Sequence, residues 1–333
     1  MSGDRSTPPI TLADVRAAAN RIAPHVRRTP TVSWTCRAAI PLGEARVTLK
    51  LEHLQVSGSF KARGAVNRLA SLSPSAIAAG VVTASGGNHG LGVAWAAARF
   101  GVRATVFLPD SAPRSTEQRL VAMGAATVRG GAAWDDAWRL AERHARACGQ
   151  LLVHPFEDLA VIAGQATVGL ELHEDAPDLD AVIVAVGGGG LIGGVALAMK
   201  ALRPSLRVIG VEPTGAATMQ AALAAGEVVE LTEIHTIAGT LAPRAVGPTT
   251  LGLARALLDD LVLVSDDELR MAQRLLWDEL RLLVEPAGAA AVAALVNGHL
   301  HLGAAQHVGV VLCGANLDVE KLLPSENGER IAV

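Results

Sequence analysis

Short apolar runs rich in β-branched residues recur along the chain, and alanine-rich stretches of helical length separate them. A strand that is apolar along its whole length must be covered on both faces, and an intervening helix lets successive strands pair in parallel. We therefore expect an α/β fold of open, doubly wound, mostly parallel sheets. Only 3% of the residues are aromatic, so Ala, Val and Leu must fill the core. The predicted strands are Val47–Leu51, Val81–Thr83, Ala104–Leu108, Ala126–Val128, Leu151–Val153, Ala181–Val186, Arg207–Val211, Leu261–Val264 and Val308–Leu312.

The overall composition narrows the class of protein. A length of 333 residues suggests two domains, at roughly 150 residues each. A net charge of −3 provides no basic field for nucleic acid or for an anionic membrane surface, so a small-molecule partner is expected. No apolar run approaches a membrane span, the N-terminus lacks a secretory apolar segment, and the three cysteines form no CxxC pair. These features predict a soluble protein of the reducing cytoplasm.

Lysine is rare in this chain, because four lysines stand against 25 arginines. One of the four, Lys61, follows the run Ser57-Gly58-Ser59-Phe60. Arginine keeps its proton in proteins, whereas a desolvated lysine can lose it and attack a carbonyl to form a Schiff base. Lys61 therefore indicates amine chemistry. A surface cation at a helix start is the alternative interpretation of an isolated lysine.

Two glycine-rich segments each follow a predicted strand and precede a helical stretch. The first is Thr83-Ala84-Ser85-Gly86-Gly87-Asn88-His89-Gly90, and the second is Gly187-Gly188-Gly189-Gly190-Leu191-Ile192-Gly193-Gly194. Backbone N–H groups at the start of a helix are free and lie at its positive end, so each turn can hold an anion. Four consecutive glycines cost backbone entropy, which favours a phosphate site at the second turn over a simple tight turn.

The second glycine segment also admits a different interpretation. Gly188-x-Gly190-x-x-Gly193 follows a strand, and Glu212 ends the next strand about twenty residues later, as in dinucleotide-binding sites. An NAD-dependent oxidoreductase is therefore the alternative from another class. This interpretation leaves Lys61 and the first glycine segment unexplained.

Taken together, six segments resemble the serine/threonine dehydratases, which are fold-type II pyridoxal-phosphate enzymes related to serine racemase and similar in fold to the tryptophan synthase β subunit. They occur in the same order over nearly the whole chain. The segments are Ser57 to Lys61, Ser85 to His89, Gly187 to Gly190, Gly210-Val211-Glu212-Pro213, Val284-Glu285-Pro286-Ala287-Gly288-Ala289-Ala290 and Leu312-Cys313-Gly314-Ala315-Asn316.

The resemblance implies that pyridoxal 5'-phosphate is the cofactor and assigns roles to these segments. Lys61 is then the Schiff-base lysine and the general base for the Cα proton. The backbone of Gly187, Gly188, Gly189, Gly190 and Leu191 would bind the phosphate. Phe60, Asn88, Glu285 and Cys313 would surround the cofactor ring, with the Cys313 thiol at the ring nitrogen. Ser85, Gly86, Asn88 and His89 would bind the substrate carboxylate.

Departures from the family pattern distinguish between relatives. The racemase has a serine where this chain has Gly86, so a proton donor on the opposite face is missing and elimination is favoured over racemisation. A cation site of some relatives uses Glu212 together with an aspartate where Thr218 stands here. We therefore expect no metal site.

These inferences lead to one hypothesis: α,β-elimination of L-threonine or L-serine to a 2-oxo acid and ammonia by a homodimer. The resemblance implies a large domain of residues 1–76 and 158–333, and a smaller inserted α/β domain of residues 77–157. An amino-acid racemase or a β-replacement enzyme is the nearest alternative. Three further features are interpreted as structural: the capping boxes Thr11-x-x-Asp14 and Ser265-x-x-Glu268, the helical pair Trp134 and Trp138, and the histidines His299, His301 and His307.

Overall fold

The computed structural model describes residues 9–35, 45–300 and 307–318. Its α-helices are α1 Leu12–Ile22, α2 Lys61–Ala70, α3 Pro74–Ile77, α4 Asn88–Phe100, α5 Arg114–Ala122, α6 Trp134–Cys148, α7 Leu159–Asp175, α8 Gly190–Leu202, α9 Thr218–Ala225, α10 Pro248–Leu257, α11 Asp266–Leu280 and α12 Pro286–Val296. Its strands are β1 Thr31–Trp34, β2 Arg46–Lys50, β3 Val81–Ala84, β4 Ala104–Leu108, β5 Ala126–Arg129, β6 Leu151–Leu152, β7 Ala181–Ala185, β8 Arg207–Pro213, β9 Asp260–Val264 and β10 His307–Val311. None of the described helices is both long enough and apolar enough to cross a bilayer.

The strands form two separate sheets. One has the order β1-β2-β10-β7-β8-β9 and the other has the order β5-β4-β3-β6. Every strand pairing is parallel except that of β1 with β2. The α/β fold with mostly parallel sheets is therefore confirmed.

All nine predicted strands are present, with ends that differ by at most two residues, and β1 was not predicted. This strand lies at the edge of its sheet and is antiparallel to its neighbour. Val32 and Ser33 are exposed and only Trp34 is buried. An edge strand of this kind needs no continuous apolar run, so the signal used for the other strands was absent.

Small side chains bring the helices close to the larger sheet. All residues from Ala287 to Leu295 on α12 are buried, and this helix packs against β7, β8 and β9. Alanine gives such a helix a slim surface, so its backbone can approach the strands closely. The abundance of alanine and the scarcity of aromatic residues thus follow from the layered packing.

The four strands of the smaller sheet all lie between residues 77 and 157. This placement supports the predicted inserted domain, and the exact domain division stays a prediction. The helix α7 follows immediately and packs against α1, α2 and α8 of the remaining chain. The two glycine-rich turns follow β3 and β7, at the carboxyl ends of the two sheets, where ligands bind in open α/β folds.

Both predicted capping boxes are confirmed. Thr11 accepts the N–H of Asp14 at the start of α1, and Ser265 accepts the N–H of Glu268 at the start of α11, each over 3.3 Å. In both cases the acidic side chain in turn accepts the backbone N–H of the capping residue.

Candidate active site

Lys61 is the first residue of α2, and the turn before it is tied to the end of β10. Ser59 forms an antiparallel bridge with Gly314. The N–H of Phe60 donates to the carbonyl of Cys313 over 3.1 Å. These bonds fix the start of α2 against the carboxyl end of the larger sheet, so Lys61 and Cys313 come together although they are far apart in the sequence.

The amine of Lys61 is largely shielded from water. Its Nζ donates to the carbonyl of Pro155 over 2.7 Å and lies 5.1 Å from the centroid of the Phe60 ring. No ion pair to Lys61 occurs among the described residues. Burial lowers the pKa of Lys61 to about 8, against a smaller opposing effect of Cys313. Since only the neutral amine is nucleophilic, this environment prepares Lys61 to attack a carbonyl.

A buried ion cluster lies under the first turns of α2. Arg63 is fully buried and pairs with Glu52 and Glu171, each over 2.7 Å. Lys50 pairs with Glu171 over 2.7 Å as well. Removal of one partner would leave a buried charge uncompensated, which is strongly destabilising. The cluster therefore holds α2, and with it Lys61, in one position.

The first glycine-rich turn connects β3 to α4. The N–H of Gly87 donates to Oγ of Ser85 over 3.2 Å, and α4 begins at Asn88. The first N–H groups of this helix have no partner within the helix. The turn can therefore hold a carboxylate, and the predicted binding of the substrate carboxylate by Ser85, Gly86, Asn88 and His89 stays a prediction.

His89 is buried and neutral. Its Nε2 lies 3.1 Å from the carbonyl of Val153, and its Nδ1 is buried without a partner among the described residues. Burial, with a contribution from Lys61, lowers the pKa of His89 well below its ordinary value. A neutral ring that donates from Nε2 presents an acceptor at Nδ1. A carboxylate would therefore be bound by the backbone N–H of His89 rather than by its ring.

Asn88 joins the first glycine-rich turn to the start of α12. Its Nδ2 donates to Oε1 of Glu285 over 2.5 Å, and its Oδ1 accepts from Nδ2 of Asn316 over 2.6 Å. Thr240 donates to the same carboxyl of Glu285 over 3.2 Å. Burial raises the pKa of Glu285 to about 7, against these hydrogen bonds. The second Nδ2 proton of Asn88 stays available for a ligand.

The second glycine-rich turn connects β7 to α8, which begins at Gly190. Gly189 has a φ of +88°, a conformation that glycine adopts without strain. The ring of Phe156 lies against Gly188, where a Cβ would overlap it, and a Cβ at Gly190 would lie 3.0 Å from Cβ of Phe156. Leu191 is in the first turn of α8. The turn therefore presents free backbone N–H groups at a helix start with Phe156 packed over it.

Cys313 is buried directly after β10. Its Sγ donates to the carbonyl of Ala287 over 3.3 Å. Burial, reinforced by Glu285, raises the pKa of the thiol. A neutral thiol near the amine of Lys61 agrees with the predicted position at the ring nitrogen, which stays a prediction.

Sequence reasoning missed several residues of this site. Pro155 supplies the carbonyl that binds Lys61, Phe156 covers the second glycine-rich turn, and Thr240 binds Glu285. Pro155 and Phe156 follow β6, a strand of two residues, and belong to none of the motifs. The only related signal was the pair Trp134 and Trp138, whose spacing indicated packing without indicating the neighbour.

The structure does not support the dinucleotide interpretation. Glu212, which that interpretation assigns to a ribose hydroxyl, is fully buried. Its carboxyl accepts the N–H groups of Met219 and Gln220 at the start of α9, over 2.7 and 2.9 Å. Burial raises the pKa of Glu212 to about 7. The carboxyl therefore serves the start of a neighbouring helix instead of a cofactor.

Two of the three C-terminal histidines have protein partners. His299 lies 2.7 Å from Oε1 of Glu268, and His307 lies 2.9 Å from Oδ1 of Asp178. His301 lies outside the described residues. No group of three His, Cys, Asp or Glu side chains within the described ranges could hold a metal ion.

Comparison with known proteins gives consistent results. A family model described as pyridoxal-phosphate dependent enzyme matches residues 22–314. The chain is 39% identical over 313 residues to an L-threonine ammonia-lyase of Thermotoga maritima, and the aligned region covers 94% of this chain and 77% of that protein. It is 43% identical over 314 residues to a phenylserine dehydratase of Ralstonia pickettii, and the aligned region covers 92% of this chain and 94% of that protein. The structure of maize serine racemase superposes with a TM-score of 0.88 at 35% identity and covers 94% of this chain and 95% of that one.

Proposed function

Since the chain belongs to the family of pyridoxal-phosphate dependent enzymes, we propose that it is an ammonia-lyase acting on L-threonine or L-serine. The reaction removes the Cα proton and the β-hydroxyl as water, and hydrolysis of the resulting enamine gives a 2-oxo acid and ammonia. The activities named for these relatives agree with this reaction class, because L-threonine and phenylserine are both 3-hydroxy amino acids.

One observation carries the proposal. The amine of Lys61 is desolvated, has a pKa lowered to about 8, and donates a hydrogen bond to the carbonyl of Pro155. The next residue, Phe156, packs over the second glycine-rich turn. A nucleophilic amine and an anion site are therefore neighbours. An aldehyde that carries a phosphate needs these two groups.

The residues present fit the cofactor. The backbone of Gly187 to Gly190 and of Leu191 would hold its phosphate, with Phe60, Asn88, Glu285 and Cys313 around its ring. When bound, the cofactor supplies an aldehyde for the amine and a ring that accepts electrons from Cα. The neutral Cys313 thiol cannot keep the ring nitrogen protonated as a carboxylate would. This environment favours rapid loss of the β-hydroxyl over a long-lived carbanion.

The chain's own groups position the substrate and move its proton. The start of α4, with Ser85, would hold the carboxylate. Lys61 Nζ would take the proton from Cα, since an amine with a pKa near 8 exchanges protons readily at neutral pH. Gly86 offers no side chain on the opposite face, which disfavours the racemase alternative. That alternative keeps its support from the likeness to maize serine racemase.

We extend the proposal to the setting of the enzyme. A homodimer is consistent with two large apolar side chains exposed on α11, Met271 at 53% and Trp277 at 49%. The described cysteines, Cys148 and Cys313, are free thiols, which suits a reducing cytoplasm.

The test is release of 2-oxo acid from L-threonine and L-serine by the purified holoenzyme. We expect activity with at least one of them and a loss of at least about 100-fold in Lys61→Ala, the lower end of the contribution of a general base. Lys200→Ala is the matched control, because Lys200 forms an ion pair with Asp259 away from the site. Formation of D-serine without 2-oxo acid would favour the racemase. Full activity of Lys61→Ala would contradict the mechanism.

A further inference from the structure

Four rings form an aromatic cluster beside Lys61, composed of Trp134, Trp138, His154 and Phe156. The chain has five tryptophans, four phenylalanines and no tyrosine, so a third of its Trp and Phe residues lie in this one place. Trp134 and Trp138 stack with ring centroids 5.4 Å apart. His154 makes edge contacts of 4.7 Å with both Trp138 and Phe156. The rings therefore form one continuous aromatic surface.

The aromatic cluster contacts the three parts of the candidate active site. At one end, Nε1 of Trp134 donates over 3.0 Å to the carbonyl of Ala84, the residue before Ser85. In the middle, the carbonyl of Pro155, between His154 and Phe156, binds Nζ of Lys61. At the other end, Phe156 covers the second glycine-rich turn. The cluster thus adjoins the segments proposed to hold the carboxylate and the phosphate as well as the amine of Lys61.

Core packing accounts for only part of the aromatic cluster. Trp138 packs against a small core that includes Ala137, Ala141 and Phe107. Trp134 belongs to none of the cores formed by the described residues. Both tryptophans stay partly exposed, in contrast to Phe156, which is buried. A large aromatic ring that lies outside the core, against the backbone of the first glycine-rich turn, is available for a ligand.

The aromatic cluster is also uncharged. Burial, with a smaller effect of Lys61, lowers the pKa of His154 to about 4, so its ring is neutral at physiological pH. Nδ1 of His154 accepts the N–H of Glu157 over 3.0 Å, which fixes the ring within its own loop. The two stacked tryptophan rings and the edge-on ring of His154 are all neutral, and such an aromatic environment favours an apolar planar group over the small methyl group of threonine or a charged side chain.

We propose that the aromatic cluster binds the side chain of the substrate and that the preferred substrate is a 3-aryl-3-hydroxy amino acid. This inference rests on the elimination proposed above and adds the substrate class. The bonds that change are the same: Cα–H and Cβ–O break with loss of water. One water then returns, and the products are a 3-aryl-2-oxo acid and ammonia.

The test compares kcat/KM of the holoenzyme for 3-phenylserine and for L-threonine. We expect a higher value for 3-phenylserine in the wild type. Trp134→Leu should lower that value about tenfold, the effect of one aromatic contact and its buried area, and change the value for threonine less than about twofold. Trp134→Phe keeps a ring but loses the donor to Ala84, and should retain most of the preference. Val121→Ala, at an exposed apolar residue on α5, should change neither value.

The outcomes separate the two proposals. Turnover of threonine with little or no turnover of 3-phenylserine would overturn the aryl specificity and leave the elimination standing. An equal loss of kcat/KM for both substrates in Trp134→Leu, with a lower melting temperature, would assign Trp134 a packing role and would also overturn the aryl specificity. Absence of 2-oxo acid from either substrate would overturn the elimination and this inference together. Should Trp134→Leu fail to fold, the wild-type preference alone decides.

Discussion

Substitution of Gly188 by alanine tests how the second glycine-rich turn is built. A Cβ at Gly188 would lie 2.5 Å from Cε1 of Phe156 and closer still to two other atoms of the ring. Gly188 is not among the glycines with positive φ, so the backbone itself tolerates alanine. The cost of Gly188→Ala therefore comes from the contact with Phe156, a buried residue that is 8% exposed.

The expected magnitude follows from this overlap. Adding a methyl group to a closely packed site costs about 1 to 3 kcal/mol. If the turn holds the cofactor's phosphate, displacement of the turn or of Phe156 weakens binding by about 5- to 150-fold. In a Phe156→Ala background the ring is gone, and the same substitution should cost almost nothing, so the double-mutant cycle gives a coupling energy near the full loss.

The assay is titration of the cofactor-free protein with pyridoxal phosphate, followed by visible absorbance and by the melting temperature. Gly252→Ala serves as the control, since nothing lies within 4 Å of a Cβ at that position. An equal loss of affinity for Gly188→Ala in both backgrounds would refute the role of Phe156. Wild-type affinity in Gly188→Ala would refute the packing argument altogether.

Three further predictions concern other parts of the molecule. Gly86→Ser should begin to convert L-serine to D-serine, because the tightest contact of a Cβ there is 3.1 Å to the Cβ of Ala112 and the other contacts are ordinary, so the side chain fits after a small shift. Elimination without any D-serine would count against the role of Gly86. Burial lowers the pKa of Lys61 from 10.5 to about 8, so the buried amine destabilises the fold fully below pH 8 and no longer does so near pH 10.5. Over this range the free energy of unfolding of the cofactor-free wild type, measured with urea, should rise by up to about 3 kcal/mol relative to that of Lys61→Met. A difference between the two proteins that stays constant with pH would contradict the shift. Thr11→Ala should lower the free energy of unfolding by about 1 kcal/mol through loss of the capping box, and an unchanged urea midpoint would show that the cap contributes nothing.

The architecture was predictable because buried parallel strands leave a strong signal. Strands such as Ala181–Ala185 and Ala104–Leu108 are buried at every position, and their sequences are apolar throughout except for Thr105. The edge strand Thr31–Trp34 carries no such run, and its pairing with β2 depends on tertiary context. Local patterns therefore revealed the sheet interiors and missed one edge.

The site was predictable where function requires a particular residue type. Glycines at a helix start and a lysine among arginines indicate phosphate binding and amine chemistry from residue type alone. Pro155 acts through its carbonyl and Phe156 through its position, and neither property leaves a pattern in a sequence. The pairing of Asn88 with Glu285 joins residues 197 positions apart, which only the folded chain brings together.

The central claim is a covalent link between the amine of Lys61 and the cofactor. Borohydride reduction of the holoenzyme followed by peptide mass mapping tests it directly, because the sequence contains only four lysines, at positions 50, 61, 200 and 321. We predict one pyridoxyl group per chain, attached to Lys61 and absent from Lys61→Ala. A label on any of the other three lysines, or a protein that binds pyridoxal phosphate without a reducible link, would contradict the account.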